Sequence, residues 1–426
     1  MTVLAQRRRR RTLIAFVCGV VVLGSLPVSA VVAWRAVRDS KAAEAVVALP
    51  TVSIPTTPTA ILATTDEQNF LASLSILAIS PNGAGGTIMS LPVGLALNGQ
   101  PEGEPKRLAD VYGSDGPDAL KSAVESLTNT QIDFIAVADE SGTGDLLARV
   151  GTIDARFSAD VLDTEDDQVR KVADQGPNSF TPLQAAAVLA ARDPQQLESD
   201  RLPAIKSLWE GVVAAVGSGK IGTQSASVIP DVGAQVPADM PAFMSALFAG
   251  PVRTWQIAYQ RLEGEKANPD DVDVYGYDLG EIVMVLATVA PSAMVAVFPT
   301  ITVQVDSPFP ESETVRQAVY RLLYMGANVM LVRNVNSVPP EKTTILYSDE
   351  MDRGIAEPLT VLLDEIDWEK ATDRVAGIDL QIILGRSFTD FLTQTASMSM
   401  DEVLAAAQGD SAGDATSDSA PESSAP

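Results

Sequence analysis

Apolar residues fall in short blocks along this chain, and their spacing predicts strands alternating with helices. Phe70–Ser80 (FLASLSILAIS) and Thr87–Pro92 (TIMSLP) flank a Gly-rich turn, Asn82-Gly83-Ala84-Gly85-Gly86, the pattern of a hairpin of buried strands. Asp115-Gly116-Pro117 is a helix-start signal, and Leu120, Val124 and Leu127 share one face of the helix that follows. Ile132–Ala138 reads as a strand. Ser179-Phe180-Thr181-Pro182 offers an N-cap with proline in the first turn before LQAAAVLAAR. Leu202–Val216 is an amphipathic helix ended by Gly217. Further on come a helix over Ala242–Ala249, a strand over Val252–Tyr259, a charged loop over Glu263–Asp273 and a helix over Leu279–Val289. From Thr300, strands at Ile301–Val305, Val329–Val332, Thr344–Tyr347 and Asp379–Leu384 alternate with helices at Ser312–Met325 and Ala356–Leu363, a small α/β domain.

The N-terminus departs from this pattern. Thr12–Trp34 is uncharged and long enough, at about 1.5 Å per residue, to cross a hydrocarbon core of about 30 Å. Five arginines, Arg7–Arg11, precede it, whereas only Arg35 and Arg38 closely follow, so the short tail 1–11 stays cytoplasmic and the bulk is exported. A cleaved signal peptide is the competing reading. Its apolar region runs about 7–15 residues, shorter than this one, which favours an uncleaved signal anchor. Residues 35–66, rich in Pro and Thr, read as a stalk, and 393–426 as a disordered acidic tail.

Charge and composition narrow the chemistry. Residues 1–41 hold eight basic residues and one acid, leaving 22 basic against 54 acidic residues in 42–426. A body so acidic repels a phosphate backbone, so nucleic acid is not an expected partner. The single cysteine, Cys18, lies in the apolar segment, and the chain has no histidine. Disulfides, Ser-His-Asp or Cys-His catalysis and zinc chemistry built on Cys or His are therefore excluded. Gly264–Asp273 is acidic, but lacks EF-hand spacing and its final Glu.

The order of elements resembles the LytR-CpsA-Psr (LCP) family followed by a LytR C-terminal domain. LSILAISPNGAGGTIMSLP is similar to the family's paired strands leading into a Ser-hydrophobe-Pro-Arg-Asp motif. RLADVYGSDGPDALKSAVESLTNTQIDFIAVAD and LLARVGTIDARF look like its following helix and strands. FTPLQAAAVLAARDPQQLESDRLPAIKSLWEGVV is similar to the helix pair that carries arginines to the site, and ITVQVDSPFPESETVRQAVYRLLYMGANVMLV and GIDLQIILGRSF to the C-terminal domain. The fold class expected is α/β: a membrane anchor helix (12–34), an LCP-like α/β sandwich domain (67–294) and a smaller LytR C-terminal-like α/β domain (295–392).

The resemblance implies an extracytoplasmic enzyme moving a glycopolymer from a polyprenyl-pyrophosphate carrier onto peptidoglycan. Such a reaction needs Mg²⁺ on carboxylates, arginines on the pyrophosphate and a base for the acceptor hydroxyl. Here Ala72 stands where the family has an early metal-binding Asp, and Pro92-Val93-Gly94 replaces Pro-Arg-Asp. Of the arginines, Arg192 and Arg201 remain as phosphate or lipid candidates, while their partners read Pro194 and Ala204. The alternative for both is a solvated helix end paired with Asp193 and Asp200. The expectation is a degenerate LCP-like envelope protein, with no catalytic residue and no cofactor assigned, that binds polyprenyl lipid, peptidoglycan or a cell-wall protein. An active transferase is the second reading. It would need Mg²⁺ and replacement carboxylates from Asp110, Asp115, Asp118 or Asp160, which otherwise serve as helix caps and loop solvation. An exported scaffold acting only through its C-terminal module is the third.

Overall fold

The computed structural model describes residues 51–97, 105–165, 168–216, 233–264, 268–297, 300–400 and 402–405. The chain divides into two units, 1–51 with 372–374 and 52–371 with 375–426. Of the first, only Thr51 and Thr372–Arg374 lie among the described residues, and every element named below belongs to the second. Among the described residues no helix is long and apolar enough to cross a membrane. The expected anchor 12–34 lies outside them.

Strands β1 (Thr59–Thr65), β2 (Leu71–Ile79) and β3 (Gly86–Leu91) form an antiparallel meander. Helix α1 (Leu108–Thr128) then crosses to β4 (Phe134–Ala138), which runs parallel to β1. Helix α2 (Glu140–Leu147) precedes four short strands, β5 (Ile153–Phe157), β6 (Val161–Glu165), β7 (Gln168–Ala173) and β8 (Gly176–Phe180), paired β5 with β8 and β6 with β7. Helices α3 (Pro182–Ala190), α4 (Glu198–Val216) and α5 (Met240–Leu247) lead to β9 (Val252–Gln256), which adds parallel to β3. The sheet order is β9-β3-β2-β1-β4.

Residues on β1 and β2 are buried on both faces, which is why these strands read as continuous apolar runs rather than alternating ones. Ile61, Ala63, Leu74 and Ile76 face α1, while Ala60, Leu62, Leu77 and Ile79 face α3, α4 and α5. On that second face Trp209, Phe243, Met244 and Leu247 are each no more than 1% exposed and fill the space between sheet and helices.

A small hairpin follows, β10 (Tyr259–Arg261) with β11 (Tyr275–Tyr277), then α6 (Leu279–Val289). The second sheet takes β12 (Thr302–Ser307), β13 (Asn328–Asn334), β14 (Thr343–Tyr347), β15 (Ile366–Lys370) and β16 (Leu380–Ile383) in the order β13-β12-β16-β14-β15. Helices α7 (Ser312–Tyr324), α8 (Glu350–Ala356) and α9 (Arg386–Gln394) connect and flank these strands. One hydrophobic cluster runs from the α1 face of the first sheet through Ile282 and Val285 of α6 to Val319 of α7 and Val303 and Ile382 of the second sheet.

Three expectations are corrected. Thr59–Thr65, placed in the stalk 35–66, is a fully buried strand between β2 and β4, because apolar Ala60–Ala63 and the flanking β-branched threonines suit a strand paired on both edges. The helix expected over Ala356–Leu363 is instead the end of α8 and a 3₁₀ segment, Glu357–Leu363, since Pro358 supplies no N–H to an α-helical ladder. Part of the tail 393–426 is ordered: Thr395 is buried and Val403, in the helical residues 402–405, is 1% exposed. Residues 406–426 lie outside the described ones.

Candidate functional site

Three of the positions singled out in the sequence, Val93, Gly94 and Arg201, meet where β3 ends and α4 begins. The chain leaves β3 at Leu91, and the next two free backbone N–H groups belong to Val93 and Gly94. Both donate to one buried side chain, Glu198: Val93 N to Oε1 at 2.6 Å and Gly94 N to Oε2 at 2.7 Å. Glu198 is the first residue of α4, one turn before the helix start expected at Leu202. Its own N–H donates to Asp273 Oδ2 at 2.8 Å, and that of Ser199 donates to Tyr275 Oη at 2.9 Å. The free N–H groups of this helix end are thus capped from some 75 residues away. Tyr275 Oη in turn donates to Asp273 Oδ1 at 2.5 Å. Burial, with the Asp273 carboxylate as acceptor, pushes the Tyr275 phenol up to about 12.

Gly94 has no room for a side chain. A Cβ there would stand 2.9 Å from Glu198 Oε2, 3.0 Å from the Asp273 carbonyl and 3.1 Å from the Tyr275 ring. The glycine is therefore what lets Glu198 approach the strand end. Ala72, the other position where the family pattern has an acid, is fully buried on β2. There Thr64 pairs with Ser73 and Thr65 with Leu71, so Ala72 is the extra residue of a bulge.

The two arginines do different things. Arg201 turns inward: its side chain is 9% exposed, Nη1 donates to the Ala191 carbonyl at 2.7 Å, and Nη2 lies 4.0 Å from Glu198 Oε1. Burial lowers its affinity for a proton, and raises that of Glu198, from their ordinary values. Arg192 is about one-third exposed, reaches Asp66 Oδ2 at 3.5 Å and lies 4.9 Å above the Phe70 ring. Neither pairs as expected with Asp193 or Asp200, since Asp193 accepts instead from Thr164 Oγ1 and Gln195 N. Asp66 closes the β1–β2 turn by accepting from Gln68 N and Phe70 N.

The replacement carboxylates do not join this site. Asp110 is held in a fork by Arg107, at 3.0 Å from Nε and 2.7 Å from Nη2. Asp115 takes Ser114 Oγ and Lys106, exposed Asp118 accepts from Ser122 Oγ only through its backbone carbonyl, and Asp160 takes Gln175 N and Lys171. Within the Gly264–Asp273 loop a buried Asn268 is the centre: its Nδ2 donates to Leu262 O and Val272 O, and its Oδ1 accepts from Val272 N. Among the described residues no group of three or more Asp or Glu side chains is arranged to hold a metal ion. Ala72 offers no ligand and Gly94 has no space for one, so the residues present do not fit the Mg²⁺ that the resemblance implies.

Beside Arg192 opens a polar groove of about 660 Å³, lined by Asp66, Glu67, Asp139, Glu140 and Asp163 with Leu183 at its wall. Partial burial raises the Glu140 carboxyl above its usual range. Arg170 opposes that shift, and Glu67, Asp163 and Asp139 reinforce it. Sequence reading missed this groove and Glu198 alike, because the groove's carboxylates come from the β1–β2 turn, the start of α2 and β6 and share no spacing.

No family model matches the chain, and no curated protein matches it. Among solved structures, TagV of B. subtilis is 15% identical, with 54% of this chain and 96% of that one covered and a TM-score of 0.38. The LytR-CPS2A-psr family protein YwtF (TagT) with bound octaprenyl pyrophosphate lipid is 12% identical over 54% and 89% of the two chains, with a TM-score of 0.36. TagT bound to LI-WTA is 11% identical over 54% and 88%, with a TM-score of 0.37. The structural neighbours of this chain are LCP-family proteins, and the likeness covers about half of it.

Proposed function

We propose that this chain is an LCP-like cell-envelope protein that binds wall glycan and has lost the transferase chemistry. The observation that carries this reading is the capture of the Glu198 carboxylate by the Val93 and Gly94 N–H groups. Where the family resemblance places Arg and Asp for pyrophosphate and metal, this chain has an internal anion. Of the two candidate arginines, Arg201 is committed to Ala191 O and Glu198 and only Arg192 faces outward, and one guanidinium neutralises little of a diphosphate's charge.

The groove beside Arg192 suits a different ligand. Carboxylates accept hydrogen bonds from sugar hydroxyls and attract ammonium groups, but repel a polyphosphate. Leu183, 51% exposed at the groove wall, adds apolar surface of the kind sugar rings pack against. An isoprenoid tail finds less provision, because Trp209 and Phe243 occupy the space between sheet and helices. The ligand class is therefore a hydroxyl-rich glycan without phosphate, such as the neutral N-acetylated sugar strand of peptidoglycan. Anchored by 12–34 with the tail 1–11 inside the cell, the domain 67–294 and the module 295–392 would stand at the outer membrane face, where that glycan lies.

Sedimentation with purified peptidoglycan sacculi tests this. The chain pellets with sacculi, and Glu67→Gln with Glu140→Gln reduces the bound fraction several-fold. A chain that stays in the supernatant yet carries polyprenyl phosphate by mass spectrometry overturns the reading. Among the described residues the active-transferase alternative lacks a carboxylate cluster: Asp110, Asp115 and Asp160 hold separate side-chain partners, and exposed Asp118 accepts only through its backbone carbonyl.

A further inference from the structure

Two arginines of the second sheet's surroundings meet burial in opposite ways. Arg333 on β13 grips Asp306 side-on, Nε to Oδ1 at 2.8 Å and Nη2 to Oδ2 at 2.6 Å. Gln304 and Gln381 donate to the same carboxylate, at 2.9 and 2.7 Å. That is the usual solution for a guanidinium out of water: a carboxylate matched to its fork.

Arg321 on α7 has no such partner. It is 4% exposed, yet no carboxylate pairs with it among the described residues. Nη2 donates to Thr395 Oγ1 at 3.2 Å, and the guanidinium carbon lies 5.2 Å from the Phe391 ring centre. Thr395 Oγ1 itself donates to the Phe391 carbonyl at 2.8 Å, so towards Arg321 it acts only as an acceptor. Nε and Nη1 are sealed from solvent and make no hydrogen bond. A neutral hydroxyl and a ring face return only part of what desolvation of the cation costs.

Both covering groups come from one element. Phe391 lies on α9 and Thr395 is its C-cap, and within α9 only Phe388 is fully buried. Lifting the last turn of this helix parts the half-buried Phe391 and Leu392 from the core and exposes a guanidinium edge with three free N–H bonds.

We propose that Arg321 is an oxyanion site, whose free N–H edge takes a carboxylate or a phosphate group when the last turn of α9 moves aside. Neither α9 nor Arg321 touches the glycan groove, so the site is separate from the proposed function and does not depend on it.

The test is thermal unfolding of the purified full chain at pH 7, with phosphate or glutarate replacing chloride at constant ionic strength. At saturating oxyanion the wild-type Tm rises by roughly 2 °C or more. Arg321→Met keeps the aliphatic packing, melts no lower than wild type in chloride and does not respond to either oxyanion. Arg321→Lys keeps the charge without the fork and responds less than wild type, which preserves the comparison if the Met variant does not fold. Response to phosphate alone assigns a phosphoryl ligand, and response to glutarate alone an acidic side chain. A wild type indifferent to both, or an Arg321→Met variant that responds as wild type does, overturns the proposal.

Discussion

Glu198 Oε2 accepts the Gly94 N–H at 2.7 Å, and the same oxygen would stand 2.9 Å from any Cβ at position 94. Absence of a side chain at Gly94 and presence of the carboxylate at Glu198 are thus one structural fact. The strand end that the LCP resemblance marks as a catalytic motif is a closed internal contact here.

Gly94→Ala should then cost about 2 kcal/mol by overpacking against Glu198 and Asp273. Gly94→Asp, which restores the residue type of the family motif, should cost more, since it also sets a second carboxylate against the first. Urea unfolding measures both. An Asp variant as stable as wild type, with Mg²⁺ raising its midpoint, would show that the site accepts a metal-binding carboxylate.

Removing Glu198 orphans two backbone donors and takes away the one ion-pair partner of Arg201 among the described residues. Glu198→Ala is expected to lose roughly 3 kcal/mol, Arg201→Ala about as much, and the double variant clearly less than the sum. Strict additivity in this double-mutant cycle would mean that the two side chains do not act on one another.

The pH dependence follows from burial. Glu198 titrates above the ordinary glutamate value of about 4.3. The folded state therefore binds more protons than the unfolded one between that value and the raised one. Its contribution favours folding at low pH and is lost as pH rises through the raised value. Relative to Glu198→Gln, the wild type should lose stability from about pH 4.3 upward. Midpoints for the two proteins that keep a constant difference from pH 4 to 8 would contradict this.

Arg192 should matter far less for stability than Arg201. Its one ion pair is long, about a third of its side chain meets solvent, and the Phe70 contact adds little, so Arg192→Ala costs about 1 kcal/mol or less. A loss equal to that of Arg201→Ala would place Arg192 in the core of the site instead.

Asp278 joins α6 to α7. It caps α6 by accepting from Glu281 N at 3.1 Å, and its other oxygen pairs with Arg316 of α7. Asp278→Ala should cost about 1–2 kcal/mol through the lost cap, and Asp278→Asn, which retains a capping oxygen, less than half of that. Equal losses in the two variants would assign the effect to the ion pair.

How much of this could be read from sequence depended on how local the cause was. Leu279–Val289 was legible to the residue because its cap, Asp278, lies beside it, and the β2–β3 hairpin because Gly83, Gly85 and Gly86 mark its turn with positive φ. Asp115-Gly116-Pro117 was half legible: Gly116 at φ 80° interrupts α1, and the helix resumes at Pro117. The start of α4 was not legible, since its N–H groups are capped by Asp273 and Tyr275 from a distant hairpin. Nor was β1, whose central place depends on pairing with β2 and β4. The sequence named Val93, Gly94 and Arg201 as the place to look. It could not name Glu198, because a lone glutamate carries no signal of burial until the strand end is folded onto it.

The most direct test of the central claim is turnover by the purified full chain of a polyprenyl-pyrophosphate-linked glycopolymer, with Mg²⁺ and a peptidoglycan acceptor, read as release of the polyprenyl phosphate product. With Glu198 holding the Val93 and Gly94 N–H groups, release should stay at the level of a protein-free control, with or without Mg²⁺. Mg²⁺-dependent release abolished by Arg192→Ala would contradict the account and make the chain a working transferase.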